Sequence, residues 1–486
     1  MTVLDQKPAM NRLLLLLAGL WAAPLIASDA TTAHDVVEGH LEIVWGDPLA
    51  GSGAPALKLF SLATDDGERI PLTVSQELAA ANGGFLDWMG RRVRAHLDAA
   101  PVGAGRHAQT VTRRARALTL LEGREAGRGG VVGSQPWVSI LCKFADIATE
   151  PNDLAYFEGM YGTNFGELDD YWRKQSYGAI DIVGSVAVDW VTLPQPQSFY
   201  APTPGSGTDA DKNALFDDCT AAADPFVDFS NDDTGGFAGI NQMFNDVLDC
   251  CAWGGGRFAS LDGVSKGWRV TWNPPWAQNA AVIAHEMGHG FGLPHANNFD
   301  GDSDPYDSPW HVMSSPFRNA VNTGPYGIQG KHHTAYHKAR LGWFAPGEVQ
   351  VVNEGDSVIV VVDHMALPAT SNLRAVEIPI PGTDDWYTVE VRDRVGYDGQ
   401  LPGNAVIISH VDTARREPAW AVDIADPPGG FGDNEGTMFR VGETFEDPAV
   451  GIRVSVVAAT AEGFELDIQS LLPEDIFLDG FETVDP

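Results

Sequence analysis

The sequence predicts an α+β protein in which a β-rich N-terminal segment, a mixed α/β central domain and a C-terminal antiparallel β-sandwich follow one another. Three observations support this fold class. Short alternating apolar runs occupy residues 31 to about 75, strand-like and helix-like segments alternate over residues 133–347, and residues 348–472 are almost entirely strand-like. A chain of 486 residues is also too long for one ordinary core, so several domains are expected.

The first thirty residues are typical of a secretory signal peptide. Lys7 and Arg12 precede the almost wholly apolar residues 13–27, and small residues follow. A buried N-terminal helix is the alternative. We therefore expect a secreted, extracellular protein. Because no later stretch is long and apolar enough to cross a bilayer, we expect no membrane span in the mature chain.

Residues 31–132 are predicted to form the β-rich segment. The stretches HLEIVWGDP, ALKLFSL and RIPLTV indicate short strands, whereas FLDWMGRRVRAHLDAA is compatible with helix and EGREAGRGGVVGSQ with a linker. Nine arginines lie between residues 85 and 130: Arg91, Arg92, Arg94, Arg106, Arg113, Arg114, Arg116, Arg124 and Arg128. Two interpretations stay open. The segment is either a pro-segment with a basic, protease-sensitive boundary or a permanent small domain with a solvated basic face.

The central domain is predicted from strand and helix patterns that alternate. PWVSILCKFAD is a continuous apolar run, as in a buried strand, and AIDIVGSVAVDWVTLP is again strand-like. Between them Leu168, Tyr171 and Trp172 recur at helical spacing, and Gly178 stands where the helix would stop. Residues 201–275, rich in Gly, Asp and Asn, are expected to be mostly loops.

After residue 347 the sequence favours an all-β domain. Runs such as DSVIVVVDH, WYTVEVRD, NAVIISHV and GIRVSVVAAT are separated by turn residues, and no long amphipathic helix intervenes. This pattern predicts the antiparallel sandwich of residues 348–472. Residues 473–486 are predicted to be an acidic tail.

The charge balance limits the possible partners. A formal net charge of −35 argues against nucleic acid, because a phosphate backbone requires a basic surface, and against an anionic membrane surface. It is compatible with an exported protein that binds calcium. We expect a monomer.

Four cysteines are present, and export would permit disulfides between them. In an extended chain the adjacent Cys250 and Cys251 would point to opposite sides, which predicts different partners for the two. No CxxC pair occurs, so the sequence does not indicate a thiolate zinc site.

The densest chemical signal is AHEMGHGFGLPH, residues 284–295. His285 and His289 lie four apart, which on a helix puts both imidazoles on one face, where they can chelate one ion. Gly292 can adopt positive φ and end the helix with a reversal that returns His295 to the same ion. Three imidazoles leave a fourth position open for water, as a catalytic zinc requires.

Glu286 completes the candidate chemistry. It follows a ligand directly, so it points about 100° away around the helix and does not readily bind the same ion. It can reach a water on the metal, whose pKa zinc lowers to about 7, and take its proton. The hydroxide then attacks a carbonyl that the metal polarises, and Glu286 passes the proton to the departing amine. A coincidental HExxH on a buried helix and a non-catalytic relative are the alternatives.

HEMGHGFGLPH matches HExxHxxGxxH completely, and the chain therefore resembles the metzincin metallopeptidases. The resemblance implies a metzincin-like domain over residues 133–347, with a mixed twisted sheet and an active-site helix. It also implies a Met-turn, for which SPWHVMSSP offers Met313, eighteen residues after His295. Some members carry a tyrosine two residues after that methionine, but Ser315 stands there, so no tyrosine ligand is assigned.

Further landmarks are similar to the immune inhibitor A-like secreted bacterial metallopeptidases. They are ELDDYWRKQSYGAIDIVGSV, YDSPWHVMS, YHKARLGWF and WYTVEVRDRVGYDGQLPGNAVIISHVD, and the similarity covers roughly residues 136 to 415. A related extracellular family, such as the gametolysin-like enzymes, is the alternative. The resemblance implies a secreted zinc endopeptidase made as a precursor.

Other titratable groups have weaker signals. His333 and His337 lie four apart in KHHTAYHKARLGW, beside His332, but the surrounding Lys331, Lys338 and Arg340 favour a solvated helix face over a metal site. His311 is interpreted as a wall residue or substrate contact. The acidic loop NNFDGDSDPYDS offers a calcium site, although a solvated loop is favoured; its carboxylates are Asp300, Asp302, Asp304 and Asp307.

The sequence thus predicts a secreted zinc metalloendopeptidase that acts on protein or peptide substrates. His285, His289 and His295 would bind zinc, and Glu286 would be the general base. A zinc hydrolase of non-peptide substrates and a non-catalytic adhesion or carbohydrate-binding protein are the alternatives. No cysteine lies between residues 31 and 141, so an inhibitory pro-segment would have to use a carboxylate, a backbone group or steric cover.

Overall fold

β-Strands dominate the chain because short apolar runs recur between Gly, Pro and Asp turns. The computed structural model describes residues 34–99, 111–121, 130–231, 236–299, 304–429 and 432–471. The predicted signal peptide and acidic tail lie outside these residues, as do Arg106, Arg124 and Arg128.

The elements follow one another in this order. The strands are β1 (His34–Pro48), β2 (Leu57–Ala63), β3 (Arg69–Val74), β4 (Arg92–Asp98), β5 (Arg113–Leu120), β6 (Gly133–Ser134), β7 (Trp137–Lys143), β8 (Ile180–Asp181), β9 (Val186–Thr192), β10 (Gly239–Phe244), β11 (Cys251–Leu261), β12 (Val264–Asn273), β13 (Ala296–Asn298), β14 (Val321–Asn322), β15 (Ile328–Gln329), β16 (Val349–Val351), β17 (Asp356–Asp363), β18 (Ala375–Pro379), β19 (Trp386–Arg392), β20 (Ala405–Val411), β21 (Ala419–Ala421), β22 (Thr444–Asp447), β23 (Ile452–Ala459) and β24 (Gly463–Ser470). The α-helices are α1 (Gln76–Ala80), α2 (Leu154–Met160), α3 (Leu168–Gln175), α4 (Gln197–Tyr200), α5 (Lys212–Ala223), α6 (Ala280–Gly290) and α7 (Ala335–Arg340). Short 3₁₀ turns lie at Gly83–Trp88, Asp224–Phe226, Pro275–Ala277, Gly396–Asp398 and Glu435–Thr437.

The N-terminal strands close into a five-stranded barrel in the order β1-β2-β3-β5-β4 and back to β1. The barrel closes because β1 pairs with both β2 and β4. In β4, Val93, Ala95 and Leu97 point into the barrel core, while the intervening side chains point outward. The outward arginines form ion pairs with acids of the same barrel, among them Arg94 with Glu38 at 2.8 Å and Arg113 with Asp35 at 2.6 Å.

Strand β1 also leaves the barrel. Its first part pairs with β4 and β2, and its last five residues pair antiparallel with β11, with Asp47 opposite Ala252. The barrel is therefore joined through β1 to the sheet β1-β11-β12-β10-β7-β9. One strand thereby carries residues from the barrel to the helix that packs on β11.

The central sheet is covered on both faces, which explains its continuous apolar strands. In β7, Val138 and Ile140 face the core that includes α5, whereas Trp137 and Leu141 face the core that includes α6. Helix α6 lies on β11 and β12. The predicted helix near Leu168 is confirmed as α3, which packs in the same core as α6.

The C-terminal part contains two further sheets around one core. The first has the order β13-β21-β20-β19-β18-β16 and contains parallel pairs at both ends; the second, β17-β24-β23-β22, is antiparallel. Side chains such as Val389 and Ile408 of the first sheet pack with Val454 and Leu466 of the second. Strand β13 directly follows the last histidine of the motif, so this part also fixes that segment.

The predicted fold class was wrong. Although helices and strands are mixed, the protein is mostly β, with 37% strand and 17% helix, a closed barrel and several sheets, and it is not a metzincin-like helix plus twisted sheet. Residues 201–275, expected to be mostly loops, hold β10, β11 and β12 at the middle of the largest sheet. The arginine-rich segment forms β4 and β5 instead of helix. The first C-terminal sheet is mixed, not antiparallel. The boundaries predicted at residues 132, 347 and 472 stay predictions.

Strand β11 was predicted to be a loop because it is rich in glycine. CAWGGGRFASL reads as a loop, but its glycines are required where other groups approach closely: a Cβ on Gly254 would lie 2.5 Å from the backbone oxygen of Glu286. Glycine in a strand often marks such an approach of another backbone. The strand and the helix above it are therefore closer than ordinary side chains would permit.

The disulfide prediction for the adjacent cysteines was also wrong. Cys250 pairs with Cys251, and Cys142 pairs with Cys219. Cys250 precedes β11 in a bend instead of continuing the strand, so the two side chains do not point apart as an extended chain would require. The Cys142–Cys219 bond connects β7 to α5 beneath the central sheet.

Over the described ranges, none of the helices combines the length and the apolar character needed to span a bilayer.

Candidate metal centre

Helix α6 positions the first two histidines. Asn279 caps it by accepting a hydrogen bond from the amide of Val282 at 3.2 Å, and all eleven residues of the helix are buried. Burial on every side agrees with its nearly uniform apolar character. His285 and His289 therefore project from adjacent turns, and both side chains are almost fully buried.

The turn after α6 brings in the third histidine. Gly292 has φ +90°, a conformation that favours glycine, and the amide of Leu293 donates back to the carbonyl of Gly288 at 3.0 Å. The chain reverses, and His295 Nε2 lies 3.2 Å from His289 Nε2. The predicted reversal at Gly292 is confirmed.

Backbone carbonyls orient two of the three imidazole rings. His285 Nδ1 donates to the carbonyl of Val312 at 2.8 Å, and His289 Nδ1 donates to the carbonyl of Leu293 at 2.8 Å. With the proton held on Nδ1, the Nε2 lone pair of each ring faces the common centre. Burial lowers the pKa of His289 to about 3, which keeps this ring neutral and available as a ligand.

Asp47 is a fourth member of the group, and sequence reasoning missed it. Its Oδ1 lies 2.6 Å from His295 Nε2 and 3.5 Å from His285 Nε2, and its Oδ2 lies 3.2 Å from His289 Nε2. Among the described residues these four side chains offer ligand atoms that all lie within 4.8 Å of one another. The group could hold a metal ion. Its sequence signal is slight, a single aspartate that ends the apolar strand EIVWGDP.

The buried polar atoms around this centre fit a cation. His285 Nε2 and both carboxylate oxygens of Glu286 are buried without a hydrogen-bond partner in the part of the chain that the structure describes. Unpaired polar atoms in a dry interior are costly. A metal ion with its own water would satisfy both groups at once.

Glu286 lies beside the four-residue group and not within it. It is fully buried, and burial, followed by the nearby Asp47 charge, raises its pKa well above the usual value. A carboxyl with a raised pKa is a better proton acceptor than an ordinary surface glutamate. The general-base role expected for Glu286 stays a prediction.

Met313 lies against the histidine helix. A Cβ on Gly288 would be 2.6 Å from Met313 Sδ, so the methionine packs directly on the turn between the two helical histidines. Its backbone amide donates to His311 Nδ1 at 2.6 Å, and the His311 ring packs 4.1 Å from that of His337. His311 is fully buried and supports this turn. Its role as a wall residue or substrate contact stays a prediction.

Tyr306 is a second residue that the sequence did not reveal. Its hydroxyl donates to Asp47 Oδ1 at 2.5 Å, and its ring centroid lies 5.4 Å from that of His295. Burial, followed by the Asp47 charge, raises its pKa, so the phenol stays a hydrogen-bond donor at neutral pH. It comes from the acidic loop before Met313, whereas Ser315, after Met313, contributes its carbonyl to Lys331.

The second histidine cluster was misinterpreted. His332, His333 and His337 are buried and do not form a solvated face. His333 Nδ1 contacts Gln175 Oε1 at 2.9 Å, and His337 Nε2 donates to the carbonyl of Pro294 at 3.0 Å. His337 therefore braces the short loop that carries His295.

Replacing His337 by Gln is expected to weaken zinc binding by about 10- to 100-fold, because partners that orient a ligand typically contribute that much. The measurement is competition for Zn²⁺ against a chromophoric chelator. His333→Gln is the matched control: it also removes a buried imidazole of the same cluster, but one that bonds to Gln175 of α3. Equal loss of zinc affinity in both variants would mean that general destabilisation, not the Pro294 contact, is responsible.

The predicted calcium loop is only partly described. Asp300 and Asp302 lie outside the described residues. Asp304 accepts from the amide of Tyr306 at 3.0 Å, and Asp307 accepts from the amide of Asn298 at 3.2 Å. Both bonds order the loop that presents Tyr306, and calcium binding stays a prediction.

A cavity of about 570 Å³ opens beside the centre. It reaches His285 and Glu286, and its walls include the apolar side chains of Trp276, Val282 and Phe317. Its other side is formed by residues 47–54, which continue from strand β1. No protein-family model matches this chain, and comparison with curated proteins gives no match either.

Proposed function

We propose that this protein is a secreted zinc-dependent endopeptidase, with His285, His289 and His295 as zinc ligands and Glu286 as general base. One observation carries the proposal: a buried glutamate carboxylate without a hydrogen-bond donor among the described residues stands beside three convergent imidazole nitrogens. A purely structural metal site would not require this glutamate. The complete HExxHxxGxxH signature and its resemblance to the metzincin peptidases support the same function.

Zinc suits the donor set, since imidazole nitrogens and a carboxylate are its usual ligands besides thiolates. When bound, it would polarise a substrate carbonyl and lower the pKa of a coordinated water to about 7. Glu286 would accept the proton of such a water and pass it to the amine that leaves the peptide bond. Tyr306 is placed to donate a hydrogen bond to an oxygen at the position that Asp47 Oδ1 now holds.

The cavity supports a peptide as substrate. Its apolar walls at Trp276, Val282 and Phe317 suit the side chain of a residue next to the cut bond.

The test is release of peptides from casein by the purified chain, before and after limited trypsin treatment that is stopped with a serine-protease inhibitor. We expect activity that 1,10-phenanthroline removes and Zn²⁺ restores, with about one zinc per chain, as for other single-site zinc peptidases. A chain that binds no zinc after mild purification would contradict the site. A zinc-loaded, trypsin-treated chain that cleaves esters but not peptides would contradict the substrate.

Replacing Gly254 by Ala is expected to displace Glu286. The added Cβ would lie 2.5 Å from the backbone oxygen and 2.8 Å from Oε2 of Glu286, so the helix has to shift. Overpacking of this kind costs about 1–3 kcal/mol of folding free energy. Thermal unfolding and casein hydrolysis are the measurements, and activity should fall with zinc retained.

Gly239→Ala is the control for that variant. Its Cβ would meet the Trp137 ring at 2.5 Å in the same sheet, so it overpacks a tryptophan side chain and not Glu286 itself. Comparable loss of stability in both variants, with activity lost only in Gly254→Ala, is the expected pattern. Full activity in Gly254→Ala would show that the position of Glu286 is not critical.

A further inference from the structure

The fourth member of the metal group comes from a different part of the chain than the other three. Asp47 lies near the end of β1, a strand of the N-terminal barrel, whereas the histidines lie between residues 285 and 295. We propose that the barrel keeps the peptidase latent, with Asp47 as a removable fourth zinc ligand and residues 48–54 as a cover over the cleft. The inference rests on the proposed function.

Asp47 closes the position that catalysis requires to be open. Its carboxylate lies within 3.5 Å of all three imidazole Nε2 atoms, at the side facing Tyr306 and the cavity. Zinc sites with four protein ligands are structural, whereas catalytic sites leave one position for water or substrate. With Asp47 in place, the group has the ligand count of a closed site, yet it retains the unpartnered Glu286 that only an open site would use.

The chain after Asp47 borders the cleft. Residues 47–54 line the cavity together with Trp276 and Phe317. Residues 44–48 pair with the edge of β11, the strand that passes directly beneath Glu286. An extended peptide adds most readily to an exposed strand edge. Strand β1 therefore occupies the position that such a substrate would take. The carboxylate of Asp47, near the end of β1, lies within the metal group.

Release is feasible through the exposed turn. Residues 49–53 are solvent-exposed, unlike the strand before them, and present their backbone to an activating protease. A cut there would separate β1 from β2 in the chain, so that β1 and its Asp47 would be held only by strand pairing with β2, β4 and β11 and could be released from the metal group. This would explain how a chain without a cysteine in its N-terminal segment stays inactive.

The experiment compares full-length wild type with Asp47→Asn, an isosteric change that removes the charged ligand, and with Asp47→Ala. Asp35→Asn is the matched control, because Asp35 lies on the same strand but pairs with Arg113 on the barrel surface. Each protein is loaded with Co²⁺ for absorption spectra and with Zn²⁺ for X-ray absorption and casein hydrolysis.

We expect the metal spectra of both Asp47 variants to differ from wild type by loss of a carboxylate ligand, with Asp35→Asn unchanged. If the closed form makes up more than about nine-tenths of wild type, opening raises casein hydrolysis at least about tenfold. Spectra that do not change would overturn the ligand assignment. Wild type as active as Asp47→Asn would overturn latency while leaving the peptidase proposal intact. Altered spectra with no hydrolysis in any protein, even after the trypsin treatment, would support the ligand and contradict the proposed function.

Discussion

Replacing Glu286 by Gln is expected to lower casein hydrolysis by about 10²–10⁴-fold while zinc stays bound, because general acid–base catalysis contributes that much. The amide has the shape of the carboxylate but cannot accept a proton. Since Glu286 is not among the four ligand side chains, the metal content should be unaffected. The measurement is kcat/KM on the activated chain together with zinc content.

The same substitution, Glu286→Gln, should not lower the melting temperature of the metal-free chain, although it lowers activity. Burial raises the pKa of Glu286, so the folded state binds a proton more tightly than the unfolded state. The stability from that proton is complete below the unfolded pKa and declines as pH rises, so burial of this carboxyl makes the metal-free chain less stable near pH 7 than at acidic pH. A neutral Gln removes this penalty. The melting temperature of metal-free Glu286→Gln should therefore equal or exceed that of wild type.

Glu377→Gln provides the control for both measurements. Glu377 lies in β18, in the first C-terminal sheet, and its pKa is also raised by burial. It should gain stability in the same direction with no loss of activity. Retained activity in Glu286→Gln would mean that another group removes the proton.

Local spacing was enough to predict how the three histidines converge, because these residues are close in sequence. The i,i+4 spacing of His285 and His289 and a glycine at 292 specify a helix, a reversal and three converging rings. Asp47 is different: it reaches the same centre across more than two hundred residues, through the pairing of β1 with β11. No local sequence pattern specifies the register of β1 on β11. The sequence therefore indicated a carboxylate only as one of several ways in which the N-terminal segment could inhibit the site.

The fold was harder to predict for a related reason. The apolar runs of β7 and β9 identify strands wherever they lie, but β11 and β12 contain glycines and charged residues that resemble loops in isolation. The glycine at position 254 is explained only by the fold, because Glu286 lies directly above it. The second histidine cluster was predicted to be solvated because lysines surround it. Those lysines are buried, and hydrogen bonds to carbonyls distant in sequence, such as Lys338 Nζ to Gln175 O at 2.9 Å, compensate their burial.

Replacing Gly292 by Val is expected to detach His295 from the metal group and to lower zinc affinity at least about tenfold, as loss of a group that orients a ligand does. At φ +90° a β-branched residue is strained by about 1–3 kcal/mol, so the reversal opens toward an extended conformation. The amide bond from Leu293 to Gly288, which places the ring that follows, is then lost. Zinc competition and thermal unfolding are the measurements.

Gly347→Val separates strain from site geometry. Gly347 has φ +89° in the connection after α7, with no atom within 4 Å of an added Cβ, so it carries the same backbone strain without touching the site. Both variants should lose comparable stability, and only Gly292→Val should lose zinc. If Gly347→Val lost zinc equally, the reversal at Gly292 would have no special role. If Gly292→Val kept wild-type affinity, His295 would have to reach the metal by a path that does not depend on the glycine.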